Sequence, residues 1–407
     1  MWHLAPPPPC GTLPGVNVLF ISPNFPPQFW LFCAALRAEG ATVLAIGDAP
    51  AHELSAQLAG SLHEYVCVPG MGQYASGLYP DIHRAVAYLI SRHGRLDRIE
   101  SLNEYWLPLE ALLREDYNVP GPRPAELLRH RSKTGMREIF RRAGVPCTEG
   151  EPIASKEQVH AFAERHGFPL VLKPDIGVGA ARTYRVEDLA ALDEALGRVG
   201  RDYLVEAFAH GTLCSYDGLL DRSGHVVFET SHVFSSGVMD IVNQGLDVYY
   251  YSRREIPPEL VALGRRAVSA FALREQFFHT EWFDQGGGRF RALEINLRPP
   301  GGFTTDMMNY ASEIDVYSLW AKVLMGRDLS SFQYERKYCA AYASRRFGRR
   351  YELSVGSLRA LLGDRLVLER EMPQALSGAM GNYMFLLRSP DEQAVLEAIR
   401  LVVEPEG

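Results

Sequence analysis

The stretch from Phe277 to Gly302 constrains this chain more than any other. It reads Phe277-Phe-His-Thr-Glu281-Trp-Phe283, then Asp284-Gln-Gly-Gly-Gly288, and soon after Ala292-Leu-Glu294-Ile-Asn296-Leu-Arg298-Pro-Pro-Gly-Gly302. Two apolar-rich runs joined by glycines predict a β-hairpin. Side chains alternate along a strand, so Glu294, Asn296 and Arg298 share one face and Leu293, Ile295 and Leu297 the other. Glu281 falls almost opposite on the first strand. The polar face then offers two carboxylates, a neutral oxygen donor and a guanidinium at the rim. Such a set suits Mg²⁺, which takes one or two carboxylates and leaves its other positions to water and phosphate. A lone Glu-x-Asn would be read as solvated charge. The second glutamate and the rigid Pro-Pro-Gly-Gly favour a metal–phosphate site.

The chain has 407 residues, too many for one small core, and two or three domains are expected. A net charge of -7 and the lack of long basic runs argue against a nucleic-acid partner. Six scattered cysteines without a Cys-x-x-Cys read as buried thiols of a cytosolic protein. Residues 1–15, with four consecutive prolines, read as a disordered leader and not a secretory signal. No apolar run is long enough for a membrane span, so neither membrane nor nucleic acid is an expected partner. From residue 16 to 125 the pattern is strand (Val16–Ile21), helix (Phe29, Phe32, Cys33, Leu36), strand (Thr42–Ile46), helix (Ile82–Ile90) and strand (Ile99–Leu102). This is a parallel α/β domain without a Gly-x-Gly-x-x-Gly turn.

A second region, 126–335, begins with a helix carrying Met136, Ile139 and Phe140. Ser155-Lys-Glu-Gln158 then reads as a capping box, followed by the strand Pro169–Lys173. Lys173 ends that strand, and Gly177 and Gly179 follow in a loop. Glycines there let backbone N–H groups approach an anion, and a strand-end lysine adds a point charge for phosphates. No Gly-Lys-[Ser/Thr] makes this a Walker A loop. Some 30 residues on, Glu206-Ala207-Phe208 looks like a strand leaving the core, able to offer backbone donors and acceptors to a flat base. The irregular stretch holding Asp240 and Asn243 is a candidate specificity loop. His210, His232 and His279 read as structural. Residues 336–407 are expected to form a small C-terminal α+β domain, with Arg345 on its strand Cys339–Phe347.

Taken in order, Lys133 at a helix start, Lys173 with its glycine loop, Glu206 with its linker, Glu281 and the Glu294-x-Asn296-x-Arg298 run resemble the ATP-grasp superfamily. The resemblance covers roughly 126–330, and the α/β domain before it matches the one that normally precedes this fold. It implies two α+β subdomains that clamp ATP. Lys133 and Lys173 would hold its phosphates, Gly177 and Gly179 would belong to the covering loop, and Glu206, Ala207 and Phe208 would form the adenine hinge. Phe283 would pack on the base. Glu281, Glu294 and Asn296 would hold Mg²⁺, with Mn²⁺ as a substitute. Arg298 and Lys173 would carry catalysis, Arg298 meeting the acyl phosphate or the substrate carboxylate. Asp240, Asn243 and Arg345 are the substrate-facing candidates. Where many members carry a glutamate for the ribose, this chain has Leu213.

The resemblance implies an ADP-forming carboxylate–amine ligase that joins two small molecules through an acyl phosphate. Transfer of a phosphoryl group to a carboxylate supplies a leaving group that the acid lacks. The Gly-rich run after Arg298 looks more like amino-acid and peptide ligases than like enzymes that use bicarbonate. Carboxylation or carbamoyl-phosphate chemistry is the alternative, and a non-catalytic nucleotide-binding protein is the rival from another class. The expected compartment is the cytoplasm, and a homodimer stays open as the assembly.

Overall fold

A computed structural model describes residues 15–73, 76–177, 182–235 and 246–406. The chain divides into two compact units, one made of residues up to Leu127 together with Tyr317–Ser330, the other of Leu128–Val316 with the remainder from Ser331. The first carries a four-stranded parallel sheet of β1 (Asn17–Ile21), β2 (Thr42–Gly47), β3 (Glu64–Cys67) and β4 (Arg98–Glu100), in the order β3-β2-β1-β4. β1 is buried along its whole length, as a continuous apolar run in a parallel sheet should be. Leu19, Ile21, Leu44 and Ile46 pack against Ile82, Val86 and Leu89 of the Tyr79–His93 helix. The expected α/β domain is therefore present. It also takes in Tyr317 and Trp320, whose rings lie edge-on to Phe32.

The second unit contains two antiparallel sheets. The smaller is built from β5 (Gly150–Pro152), β6 (Leu170–Pro174), β7 (Tyr184–Val186) and β8 (Tyr203–Ala207), in the order β5-β8-β6-β7. Val159 and Phe162 of the Lys156–His166 helix and Leu192 of the Leu189–Leu196 helix cover it. The capping box holds with one change: Ser155 accepts from the Gln158 N–H, while the Gln158 side chain accepts from Ala154. The larger sheet has nine strands. β9 (Thr212–Leu220), β10 (Val226–Thr230), β11 (His232–Phe234), β12 (Tyr249–Ser252), β13 (Phe277–Asp284) and β14 (Phe290–Asn296) are joined by β15 (Cys339–Arg345), β16 (Leu366–Glu371) and β17 (Tyr383–Ser389). β15 pairs with both β12 and β17, so residues 336–407, expected as a separate domain, share this sheet and unit.

The hairpin of β13 and β14 forms as expected. Its turn uses Gly286, Gly287 and Gly288 at φ of 77, 63 and 74°, a left-handed run in which glycine alone is unstrained. The strand face needs a correction. The register runs Glu281↔Glu294 and then Trp282↔Ala292, so Leu293 is an extra residue, a β-bulge. Phe290 and Ala292 are buried before it, Ile295 and Leu297 after it, and Leu293 is only partly buried. Among the described residues the five cysteines are free thiols, and no helix is long and apolar enough to cross a membrane.

Candidate active site

Strand register assembles the site. β9, β13 and β14 lie side by side, and their pairing sets Asp217, His279 and Asn296 in one cross-strand row and Ser215, Glu281 and Glu294 in the next. The two glutamates thus face each other directly. Asn296 donates to Glu294 Oε1 at 3.4 Å. Burial and the neighbouring Glu281 charge push the Glu294 carboxyl up, against the pull of Lys133, Lys173 and the Asn296 hydrogen bond. Glu281 moves the other way: burial raises it, but the His279 hydrogen bond, the His279 charge, Arg298 and Lys173 together hold it below the usual range. A part-buried pair split in this manner is short of positive charge, and a divalent cation would supply it. Among the described residues no three His, Cys, Asp or Glu side chains gather as a metal cluster. Two carboxylates and an amide oxygen nevertheless fit Mg²⁺ that keeps phosphate and water as its other ligands.

The charges of both lysines act on Glu294, and a single loop residue ties together the elements that carry them. Asp175, just beyond β6, accepts from Ser132 Oγ at 2.6 Å and from the Thr134 N–H at 2.8 Å, while its carbonyl accepts from the Lys133 N–H at 2.9 Å. A carboxylate at a helix start suits the dipole there, and it ties the Lys133–Arg142 helix to the strand that carries Lys173. Lys133 is 8% exposed, and its Nζ donates to the Gly177 carbonyl at 3.3 Å. Burial lowers its pKa, and Lys173 adds to that, while Glu294, Asp175 and Glu206 oppose it.

Glu206 has a different place from the one expected. It is 4% exposed and ion-paired with Lys173 at 2.7 Å and with the buried Arg137. Burial raises its pKa, and Lys173 and Arg137 outweigh that and hold the carboxyl down. β8 is an inner strand, not an edge, and the N–H groups of Ala207 and Phe208 are bonded to the carbonyls of Glu149 and Pro169 at 2.9 and 3.2 Å. A base docking here would use the remaining groups of the linker. Arg185 lies over the Phe208 ring, 4.3 Å from its centre. A cleft of about 260 Å³ lines the outside of residues 207–210 with Thr148, Glu149 and Arg291; neither lysine nor either paired glutamate borders it. Phe283 shares the strand face of Glu281 and stands opposite Leu213.

Arg298 lies two residues past β14. Its Nη1 donates to the Pro299 carbonyl at 2.8 Å, and its charge reaches Glu281. Arg345 does not join the group. It is 6% exposed, donates to the carbonyls of Val402 and Leu353 at 2.6 Å each, and stacks 4.4 Å from the Tyr351 ring centre. Its donors are committed to backbone, which makes it a strand-to-helix brace and not a substrate contact. Gly179, Asp240 and Asn243 lie outside the described residues. Sequence reasoning missed Arg137, Asp175 and Asp217. Each is a charged residue beside an apolar run, and that was the available signal.

No family model matches the chain. Over 255 residues it is 21% identical to the L-arginine-specific L-amino acid ligase of Bacillus subtilis, a match covering 59% of this chain and 60% of that protein. The chain thus spans about 60% of the length of that curated relative. The solved structure of an L-amino acid ligase from Bacillus licheniformis superposes with a TM-score of 0.73 over 96% of this chain and 98% of that one, at 18% identity. The biotin carboxylase domain of the Hydrogenobacter thermophilus 2-oxoglutarate carboxylase, solved with MgADP, ADP and bicarbonate, gives 0.66 over 95% and 89%, at 16% identity. By fold, the chain is similar to these ligase and carboxylase structures.

Proposed function

We propose that this protein is an ATP- and Mg²⁺-dependent carboxylate–amine ligase that releases ADP and phosphate. The carrying observation is the Glu281–Glu294 pair with Asn296, electrostatically coupled to Lys133 and Lys173. Glu281, Glu294 and Asn296 would hold Mg²⁺, which neutralises charge on the phosphate oxygens. Lys133 and Lys173 bind the phosphates. Lys173 exchanges its Glu206 partner for, or shares it with, a phosphate oxygen. Arg298 orients the acid for attack on the γ-phosphorus, its planar fork matching a carboxylate. The acyl phosphate then loses phosphate to an attacking amine, giving an amide.

The similarity to an L-amino acid ligase supports amino acids as the acid and amine. Two experiments test the reading. Chromatography of the spent nucleotide should show ADP; AMP would overturn the acyl-phosphate route. Phosphate release should require an acid and an amine together across a panel of amino acids. The likeness to a biotin carboxylase domain supports the second reading, in which bicarbonate alone drives release. Tight nucleotide binding with no release under any condition would identify a non-catalytic binder.

A further inference from the structure

We propose that His279 is a positioning residue for the metal carboxylate Glu281, held in turn by a buried anchor of Asp217, Ser215 and His232. This rests on the metal-site reading above. The geometry is a chain of contacts running from the sheet interior to the carboxylate. His279 Nε2 stands 3.3 Å from Glu281 Oε1, and its Nδ1 stands 2.5 Å from Asp217 Oδ1. Both ring nitrogens therefore face carboxylate oxygens, which fixes the ring on two sides. Asp217 is fully buried, and its second oxygen accepts from Ser215 Oγ at 2.5 Å and meets His232 Nδ1 at 2.7 Å. Ser215 Oγ also accepts from the His232 N–H at 3.2 Å. Val233 pairs with Cys214, so His232 falls opposite Ser215 and closes the row that ends at Glu281 and Glu294.

Such an anchor has a reason to exist. Glu281 faces another carboxylate across the strand pair, and without a fixed donor it would rotate away from it. Holding Oε1 from the side keeps the carboxylate in place and leaves Oε2 for a cation. Hydrogen-bonded partners behind metal-ligating carboxylates orient them, and their loss typically weakens metal binding about 10–100-fold. The competing view is that the four side chains only satisfy one another in the core. In that case their loss lowers stability but leaves the metal affinity of the folded protein unchanged.

Mn²⁺ is the probe, titrated into protein with ADP present and followed by the electron paramagnetic resonance of free Mn²⁺. His279→Gln should weaken Mn²⁺ binding about 10–100-fold, and Asp217→Asn about 10-fold, with metal-free ADP affinity changed less than about threefold. Melting temperatures are recorded on the same preparations. Wild-type Mn²⁺ affinity in a folded His279→Gln would overturn the proposal. If that variant does not fold, Ser215→Ala removes a single hydroxyl, and a loss of about threefold or more is expected; unchanged affinity there would overturn it equally. A wild-type protein that binds no Mn²⁺ with ADP would instead sink the metal-site reading itself.

Discussion

Each compact unit sets two glutamates close together, and the two pairs are handled differently. In the first unit Glu100 and Glu110 share Arg114, at 3.2 and 2.7 Å, and Ser101 donates to Glu110 at 2.6 Å. Burial pushes both carboxyls up, and Arg114 offsets it only in part. In the second unit Glu281 is held down and Glu294 pushed up, and the positive charges acting on Glu294 belong to two lysines rather than a clamped arginine. The first pair is closed: one guanidinium touches both acids and fixes them. The second is open, because lysine is a single point charge on a flexible stem that can turn toward a phosphate. Two neighbouring carboxylates therefore become a structural brace or a cation site according to the partner that stands between them.

The largest test of that contrast is Glu294→Gln. It removes one charge and keeps the shape, so turnover should fall by about a thousandfold or more. The melting temperature should hold or rise, because the replaced acid was destabilised by burial and by Glu281. Arg114→Met in the first unit should do the reverse, lowering the melting temperature without touching specific activity, because it leaves two buried carboxyls without their shared cation. Matching stability losses in the two variants would erase the distinction.

Arg345 extends the comparison to a second closed site. Arg345→Ala strips donors from the buried carbonyl of Val402 and the part-buried carbonyl of Leu353 and should cost about 3 kcal/mol of stability. Activity per folded molecule should be unchanged. A stable but inactive Arg345→Ala would return this residue to the substrate site.

What could be read in advance follows from how far each signal travels along the chain. The β13–β14 hairpin was legible because its alternation and its glycines are local. The bulge at Leu293 was not, since one extra residue leaves no mark on composition and shows only as a register shift. Lys133 and Lys173 were found by resemblance, but the Asp175 tie that joins their elements spans 43 and 41 residues in its two side-chain contacts. Asp217 and His279, 62 residues apart, meet only because β9 and β13 pair in that register. His279 and His232 were read one side chain at a time, as structural histidines. Their shared carboxylate could not be seen there. Arg345 was misplaced because a strand arginine looks the same whether it meets a substrate or the carbonyls of a following helix.

Arg298→Lys sharpens the open pair from its rim. A lysine keeps the charge felt by Glu281 but loses the planar fork. Turnover should fall about a hundredfold while ADP affinity stays within about threefold, since Lys133 and Lys173 remain. A destabilised variant with unchanged specific activity would move Arg298 out of the chemistry.

The smallest effect separates the units by pH. Glu100 and Glu110 have folded pKa values raised above the ordinary 4.5, so the stability they contribute is complete below that value and is lost as pH rises. In the second unit, burial alone would raise Asp217, but His279 and His232 hold it down to about 2, so its contribution is present above 3.8 and is lost only as pH falls toward 2. Burial would lower His279, but Asp217 and Glu281 bring it up to about 9; its contribution is complete below 6.5 and is lost as pH rises through 9. Between pH 5 and 6.5 the Asp217–His279 pair should therefore be flat, while Glu100, pushed up to about 8, should lose about 2 kcal/mol and Glu110 should add a loss of the same sign. Hydrogen exchange, corrected for its intrinsic pH dependence, can read both at once. Protection in β4 and the Leu107–Asp116 helix should drop across that interval by more than in β9 and β13, where Glu294 is the raised carboxyl of the site. Equal changes in the two sets would mean that Arg114 leaves its pair fully ionised, and the first unit's glutamates would then be no more closed than the second's.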